Sequence, residues 1–341
     1  MMAGRILVVG PAWVGDMVMT QSLLTTLAER APGAEIDVLA PAWSQPIIAR
    51  MPQARRGIEL PTGHGELGWG KRRRLGHELR AAGYDRAIVL PRSAKAALVP
   101  WFARIPVRTG YRGESRYGLI NDMRDLDKSV LTQTVQRFVA LGLPPDAPQP
   151  PMVPYPALTV DSGRRAALLA EHGLDGGASL VALMPGAEYG PAKQWPVSHF
   201  GRLAERLAAE GHRCVILGSP KERTLGERIA AYAPGTVNLC GRTELVDVVD
   251  LLAACRAAVS NDSGLMHVAA AMGVPLVAVY GSSTPAYTPP LSDRAGVLHL
   301  GLACSPCFER VCPLGHTQCL TRIGVSDVAA ALAERLPPVV K

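Results

Sequence analysis

Charged side chains follow short apolar runs at four places in the sequence, where they could act on a bound ligand. These residues are Asp16, Lys193, Glu222 and Asp262. A carboxylate at the end of a strand can serve as a general base, and a lysine can offset the charge of a phosphate leaving group. Because parallel strands present their carboxyl ends at one edge of a sheet, such residues predict a ligand site.

The segment 257–282 predicts a buried strand, a polar turn, a helix and a second buried strand. The turn Asn261–Gly264 carries hydroxyl and carboxylate oxygens that can cap the helix, which ends at Gly273. A helix N-terminus at the end of a parallel strand also offers free N–H groups and a positive dipole end to a phosphate. The local pattern fits a capped helix and a phosphate site equally well.

Each of the other residues has an ordinary structural interpretation beside the functional one. Asp16 can be a helix N-cap, the loop of Lys193 can be a surface loop anchored by Trp195, and Glu222 can be an exposed first-turn residue. His267 comes four residues after Ser263 and therefore lies on the same face of the helix, where it could contact a ligand. A single helical histidine is, however, usually structural. No G-x-G-x-x-G follows the first strand, which argues against a nicotinamide or flavin dinucleotide site.

The order of the predicted elements indicates an α/β protein with two doubly wound parallel sheets, because strands alternate with helices twice. Seven prolines in the 14 residues 143–156 form a stiff linker between the two series. We therefore expect Rossmann-like domains at 1–155 and 156–341 with a cleft between them, the last helix being free to pack on either domain. Predicted strands are Arg5–Val9, Glu35–Ala40, Asp85–Leu90, Arg108–Arg112, Leu180–Met184, Arg213–Leu217, Ala257–Ser260 and Leu276–Tyr280.

Composition indicates a globular protein, and the N-terminal sequence predicts the cytoplasm, a reducing environment for the seven cysteines. The chain has 341 residues, 48% of them hydrophobic and 19% charged, and no apolar run approaches the length of a membrane span. The first strand begins at Arg5 with no signal peptide before it, so we expect a cytoplasmic location.

Basic residues are concentrated in the first half of the chain. Residues 1–150 contain 20 Lys and Arg against 13 Asp and Glu, whereas residues 151–341 contain 16 of each. The basic residues of the first half include the run Lys71–Arg74. Such an uneven charge predicts an anionic partner, and the alternative is a basic face that only contacts solvent. Aromatic residues make up 5% and no nucleic-acid motif is present, which argues against nucleic acid.

Four cysteines near the C-terminus have the spacing C-x2-C-x4-C-x6-C, namely Cys304, Cys307, Cys312 and Cys319. A zinc ribbon would require a second x2 pair, so the spacing favours reduced or disulfide-linked structural cysteines over a metal site.

Taken together, these segments resemble the lipopolysaccharide heptosyltransferases of glycosyltransferase family 9, and among them the type II enzymes. The resemblance covers most of the chain. It is carried by Val14–Ser22, Gly63–Gly65, Arg108–Asp122, Pro185–Pro196, Asn261–His267 and Cys304–His316.

The resemblance implies a GT-B fold and inverting transfer of L-glycero-D-manno-heptose from ADP-heptose to the first heptose of the inner core. It also implies a phosphorylated acceptor, peripheral contact with the anionic inner membrane, and no protein-held metal. Types I and III, with other acceptors, and a non-catalytic nucleotide-sugar-binding protein are the alternatives. The residues it implicates are Asp16 as base, Lys193 at the diphosphate, Glu222, Asp262, Ser263, Gly264, Leu265 and His267 at the donor, and Lys95, Arg112 and Arg116 at the acceptor.

Overall fold

The computed structural model describes residues 4–63 and 65–336, and the chain divides after Pro156 into two compact units. Each unit contains one parallel six-stranded sheet with helices packed on it. The predicted doubly wound α/β architecture is confirmed. No helix within the described residues is long and apolar enough to cross a membrane.

The first unit has the strand order β3-β2-β1-β4-β5-β6. Its strands are β1 (Arg5–Val9), β2 (Glu35–Ala40), β3 (Arg56–Glu59), β4 (Arg86–Val89), β5 (Val107–Tyr111) and β6 (Asp122–Arg124). Its helices are α1 (Val14–Arg30), α2 (Gln45–Ile48), α3 (Trp69–Leu79), α4 (Leu98–Phe102) and α5 (Thr134–Gly142).

The first sheet is buried on both faces because β1 and β4 are continuous apolar runs after their first residue, Ile6–Val9 and Ala87–Val89. Leu7 and Val9 pack into a cluster with Val99 of α4, while Val8 points to the opposite face and is also fully buried. This is the pattern of a parallel sheet covered by helices on both sides.

The second unit has the order β12-β11-β10-β7-β8-β9. Its strands are β7 (Ser179–Met184), β8 (His212–Ile216), β9 (Val237–Asn238), β10 (Ala257–Asn261), β11 (Leu276–Val279) and β12 (Ala295–Leu298). Its helices are α6 (Ser162–Glu171), α7 (Val197–Ala209), α8 (Arg223–Ala230), α9 (Leu245–Leu252), α10 (Gly264–Ala271), α11 (Gln318–Thr321) and α12 (Val325–Ala333).

Amphipathic helices form the core of the second unit. Phe200, Leu203 and Leu207 of α7 recur at helical spacing, are buried, and pack on β7 and β8. Val328 and Leu332 of α12 join the same cluster. The last helix of the described residues therefore belongs to the second unit, whereas the sequence left open that it packs on the first.

In both sheets the strand order reverses at the first strand, between β1 and β4 and between β7 and β10. The loops that leave these strands diverge to opposite sides of the sheet, which opens a crevice at the carboxyl edge. The fold thus provides one candidate ligand crevice in each unit.

Candidate active site

Two charged residues flank the reversal point of the second sheet. Lys193 lies in the loop after β7, and Asp262 follows β10, the neighbouring strand. The Lys193 ammonium lies 2.6 Å from Oδ2 of Asp262, with side-chain exposures of 17% and 5%. Because an ammonium has three donors, this ion pair fixes the direction of Lys193 and leaves two N–H groups for other acceptors.

Asp262 is held from a second side by Ser283, whose hydroxyl donates a hydrogen bond to the same Oδ2. The Lys193 ammonium also lies 5.1 Å from the ring centroid of Tyr189, a cation–π contact. These contacts restrict both partners of the ion pair before any ligand binds.

Asn261 joins the two loops and is fully buried. Its Oδ1 accepts a hydrogen bond from the backbone N–H of Trp195 at 2.9 Å, and its Nδ2 donates to the carbonyl of Pro185 at 2.7 Å. The indole N–H of Trp195 donates to the carbonyl of Ile323. Trp195 therefore anchors the loop, as the structural interpretation predicted, and the anchored loop is the one that carries Lys193.

The middle of this loop packs tightly against segment 308–310. Gly190 has φ +155°, and a Cβ there would lie 2.5 Å from the carbonyl oxygen of Arg310. The N–H of Ala192 donates to that carbonyl at 3.0 Å, and the Tyr189 hydroxyl donates to the Phe308 carbonyl. Only glycine permits this approach of two backbones.

The N-terminus of α10 is not capped by a side chain within the described residues. The N-cap residue is Ser263, but its hydroxyl makes no cap hydrogen bond and lies 3.3 Å from that of Ser260. Asp262, the other predicted cap, is occupied by Lys193. Of the two alternatives for this turn, the helix capped by a side chain is thus wrong. Ser263, Gly264 and Leu265 are partly exposed at a helix end whose first N–H groups have no intrahelical partner.

His267 lies beneath this helix end, with 5% of its surface exposed. Burial lowers its pKa to about 4, nearby Asp262 opposes that shift, and Lys193 adds to it. The ring is therefore neutral near pH 7. The burial of His267 argues against a direct contact with a donor substrate. We interpret His267 as a residue that supports the Lys193–Asp262 pair above it.

The depressed pKa of His267 predicts a pH-dependent stability. The unfolded histidine binds a proton near pH 6.5 and the folded one only near pH 4, so stability is fully present above 6.5 and falls as the pH falls towards 4. Between pH 6.5 and 4, His267 should contribute up to about 1.4 kcal/mol per pH unit to the slope of the unfolding free energy against pH. Urea unfolding should show that His267→Gln lacks this contribution. Equal slopes in both proteins would contradict this assignment.

Glu222 lies beside the same loop but stabilises its own turn. Its Oε2 accepts hydrogen bonds from the N–H of Ser219 at 2.7 Å and from the Ser219 hydroxyl. A Cβ at Gly186 would lie 3.0 Å from the carboxylate carbon of Glu222, so the loops after β7 and β8 meet here. Glu222 is partly exposed and has a second carboxylate oxygen.

Asp16 and Lys95 flank the reversal point of the first sheet, after β1 and β4. Asp16 lies in the first turn of α1, whose N-cap is Trp13, so the interpretation of Asp16 as the N-cap is wrong. Its side chain is partly exposed. The loop before it is fixed by Trp43, whose indole N–H donates to the carbonyl of Ala12 at 2.7 Å.

The other predicted acceptor residues differ in accessibility. Arg112 is exposed and pairs with Asp125 at 2.7 Å. Arg116 is fully buried, and its guanidinium donates to the carbonyls of Tyr111 and Pro91. Arg116 is therefore a structural residue, and its prediction as an acceptor contact is wrong because no charged atom reaches the surface. His64 of the Gly63–Gly65 motif lies outside the described residues.

All seven cysteines are unpaired thiols, so the disulfide alternative is wrong for this structure. Burial and the neighbouring thiols of Cys304, Cys312 and Cys307 raise the pKa of Cys319. Across residues 4–63 and 65–336, no group of three or more His, Cys, Asp or Glu residues is arranged to hold a metal ion.

Comparison with known proteins identifies the family. The profile of glycosyltransferase family 9 (heptosyltransferase) matches residues 72–318. Lipopolysaccharide heptosyltransferase 2 of Salmonella typhimurium is 50% identical over 308 residues, which are 87% of this chain and 88% of that protein. The chain belongs to glycosyltransferase family 9.

Two further family 9 proteins extend the match. Lipooligosaccharide heptosyltransferase 2 of Haemophilus influenzae is 47% identical over 308 residues, 87% of this chain and 88% of that protein. The structure of E. coli ADP-heptose LPS heptosyltransferase II has a TM-score of 0.86 at 44% identity and covers 97% of this chain and 98% of that one. The predicted family and GT-B fold are confirmed.

Within this family 9 chain, the structure brings together Lys193, Asp262 and the N-terminus of α10, with His267 below them. Sequence reasoning did not single out Asn261, Ser283 or Tyr189 as site residues. Asn261 had a signal, since it ends an apolar strand directly before Asp262. Ser283 and Tyr189 had none, because their contacts depend on how separate loops fold together.

Proposed function

We propose that this protein is a lipopolysaccharide heptosyltransferase of type II. It transfers L-glycero-D-manno-heptose from ADP-heptose, with inversion, to the first heptose of the inner core. One observation carries the proposal. The Lys193–Asp262 pair lies beside an uncapped helix N-terminus at the reversal point of the second sheet, in a chain 50% identical to lipopolysaccharide heptosyltransferase 2.

The second unit binds the donor in this proposal. The N–H groups at Ser263, Gly264 and Leu265 donate hydrogen bonds to the diphosphate, and Lys193 neutralises charge that develops on it. Asp262 orients Lys193, so it acts as a positioning residue for the donor. The second oxygen of Glu222 accepts a hydrogen bond from a ribose hydroxyl.

The first unit supplies the base and binds the acceptor. The acceptor hydroxyl oxygen bonds to the anomeric carbon as the bond from that carbon to the diphosphate oxygen breaks. The hydroxyl proton passes to the carboxylate of Asp16, and ADP departs with the bonding electrons. Lys95 and Arg112 contact the phosphorylated core. We propose no protein-held metal, because a lysine and helix N–H groups can carry the leaving-group charge.

The protein acts, in this proposal, at the cytoplasmic face of the inner membrane without spanning it. The acceptor is a phosphorylated lipid, and the excess of basic residues in residues 1–150 suits an anionic partner. We propose no nucleic-acid partner.

Defined truncated cores test the function. With ADP-heptose, we expect transfer to a core ending in one heptose and at least roughly 100-fold slower transfer to a core with none. EDTA should leave the rate unchanged. Preference for a heptose-free or longer core would instead indicate type I or III. Donor binding with no transfer to any core would indicate a non-catalytic nucleotide-sugar-binding protein.

A further inference from the structure

An exposed pair of tryptophans lies on α3 and α4 of the first unit. Trp69, the first residue of α3, is 51% exposed, and Trp101 of α4 is 41% exposed. Both rings pack edge-on against Phe102, with centroid distances of 5.3 and 4.8 Å. Phe102 is buried, so it holds two exposed indoles at neighbouring positions on the surface.

Arginines surround this pair. Trp69, Arg73 and His77 succeed one another at spacings of four, which places them on one side of α3, and Arg80 directly follows the last residue of that helix. The His77 ring lies 6.1 Å from that of Phe102, and Nε of Arg80 donates to the Phe102 carbonyl at 2.8 Å.

A third arginine, Arg104, follows α4. Arg104 comes three residues after Trp101 and, like Arg73 and Arg80, is exposed. Partial desolvation and the charges of Arg80, Arg73 and Arg104 lower the pKa of His77. We call Trp69, Arg73, His77, Arg80, Trp101 and Arg104 the aromatic–basic face.

The neighbouring basic run contributes less than its sequence suggests. Arg72 is buried, and its guanidinium donates to the Leu67 carbonyl and the Thr62 hydroxyl. Lys71 pairs with Glu66 at 3.1 Å. Of the run Lys71–Arg74, Arg72 is therefore structural and Lys71 is partly neutralised. The exposed positive charge that remains in this region is carried by Arg73, Arg74, Arg80 and Arg104.

The composition of this face fits a lipid surface. Tryptophan is favoured at membrane–water interfaces because it has a large apolar ring and one polar N–H group. Arginine is attracted to anionic lipid phosphates, and exposed aromatic side chains held together mark an interaction site. A peripheral contact requires no membrane-spanning helix, and the described residues contain none.

We propose that the aromatic–basic face docks the protein on an anionic lipid bilayer, with Trp69 and Trp101 in the headgroup layer and Arg73 and Arg104 on lipid phosphates. This inference rests on the proposed function, because that function places the acceptor in a membrane. It adds the surface and the mode of contact.

Vesicles of equal parts phosphatidylcholine and phosphatidylglycerol, without lipopolysaccharide, test the docking directly. At low salt we expect Arg73→Gln/Arg104→Gln to bind roughly 25-fold more weakly than wild type, about fivefold for each charge. High salt should remove that difference because it screens exposed charges. Trp69→Ala/Trp101→Ala should bind more than roughly tenfold more weakly at both salt concentrations, since the lost contact is apolar.

Matched controls separate this face from general charge and apolar exposure. Arg202→Gln/Arg228→Gln removes two exposed arginines from α7 and α8, and Met152→Ala removes a side chain that is 91% exposed. Both should bind vesicles like wild type. Vesicle affinity equal to that of wild type in both face variants would overturn the proposal. So would an equal loss of vesicle affinity in the controls. Stronger binding of single-stranded DNA than of vesicles through this face would overturn it as well.

Activity on a lipid-free core keeps the two proposals apart. The face variants should transfer heptose from ADP-heptose to a soluble core oligosaccharide at the wild-type rate, which also shows that they fold. If wild type binds vesicles through this face but transfers no heptose, the proposed function fails and the docking surface remains. If transfer is normal and no vesicle binding depends on the face, the docking proposal alone fails.

Discussion

Replacing Asp16 with Asn is expected to slow heptose transfer by roughly 10²–10⁴-fold. The amide has the shape of the carboxylate but cannot accept the proton of the acceptor hydroxyl. Because a base acts in the transition state, the dissociation constant of ADP-heptose should stay within about twofold of wild type. Initial rates with a one-heptose core and calorimetric titration with ADP-heptose measure the two quantities.

Folding and charge are controlled separately. A carboxylate in the first turn of a helix typically contributes about 0.3–1 kcal/mol through the helix dipole, and asparagine keeps the shape of the side chain, so Asp16→Asn should unfold close to wild type. Asp146→Asn makes the same exchange at an exposed position in the proline-rich linker and should leave the rate unchanged. Full activity of Asp16→Asn, or a rate loss matched by an equal loss of donor affinity, would show that Asp16 is not the base.

Central elements could be predicted from the sequence and edge elements could not. The eight predicted strands correspond to β1, β2, β4, β5, β7, β8, β10 and β11. The four that were missed are β3, β6, β9 and β12, which are the edges of the two sheets. An edge strand has a neighbour on one side only and is less buried, so it lacks the continuous apolar run that marks a central strand. In β3, for example, Arg56, Gly57 and Glu59 are all exposed.

The candidate site was predictable where a residue directly follows a central strand. Asp262 meets that condition, and Asp16 lies in the first turn of the helix that follows β1, so the parallel topology places each beside its crevice. The burial of Arg116 and His267 was not predictable, because the residue type alone does not distinguish a buried arginine or histidine from an exposed one that binds a ligand. Arg116 has no accessible surface because the backbone around it turns its carbonyls inward, a property of the folded loop.

Breaking the Lys193–Asp262 pair is expected to have the second largest effect on catalysis. Lys193→Met should lower kcat/KM by roughly 10²–10³-fold, since it removes a charge that stabilises the departing diphosphate. Asp262→Asn keeps that charge but replaces the carboxylate of the 2.6 Å ion pair with a neutral amide, which directs Lys193 less strongly. If the two residues act as a unit, the double variant should be no worse than Lys193→Met, with a coupling of about 0.5–3 kcal/mol.

Stability should show a different pattern across the same cycle. Lys193→Met leaves a carboxylate that is 5% exposed without its counter-charge, which costs about 3–5 kcal/mol, and adding Asp262→Asn should recover part of that loss. The exposed i,i+4 pair Arg206–Glu210 is the control, and Arg206→Met/Glu210→Gln should change stability by less than about 1 kcal/mol without affecting transfer. Rate losses that simply multiply in the Lys193/Asp262 double variant would mean that Lys193 acts on the donor without Asp262. A coupled rate loss together with a partial recovery of stability would instead support Asp262 as the residue that holds Lys193 in position.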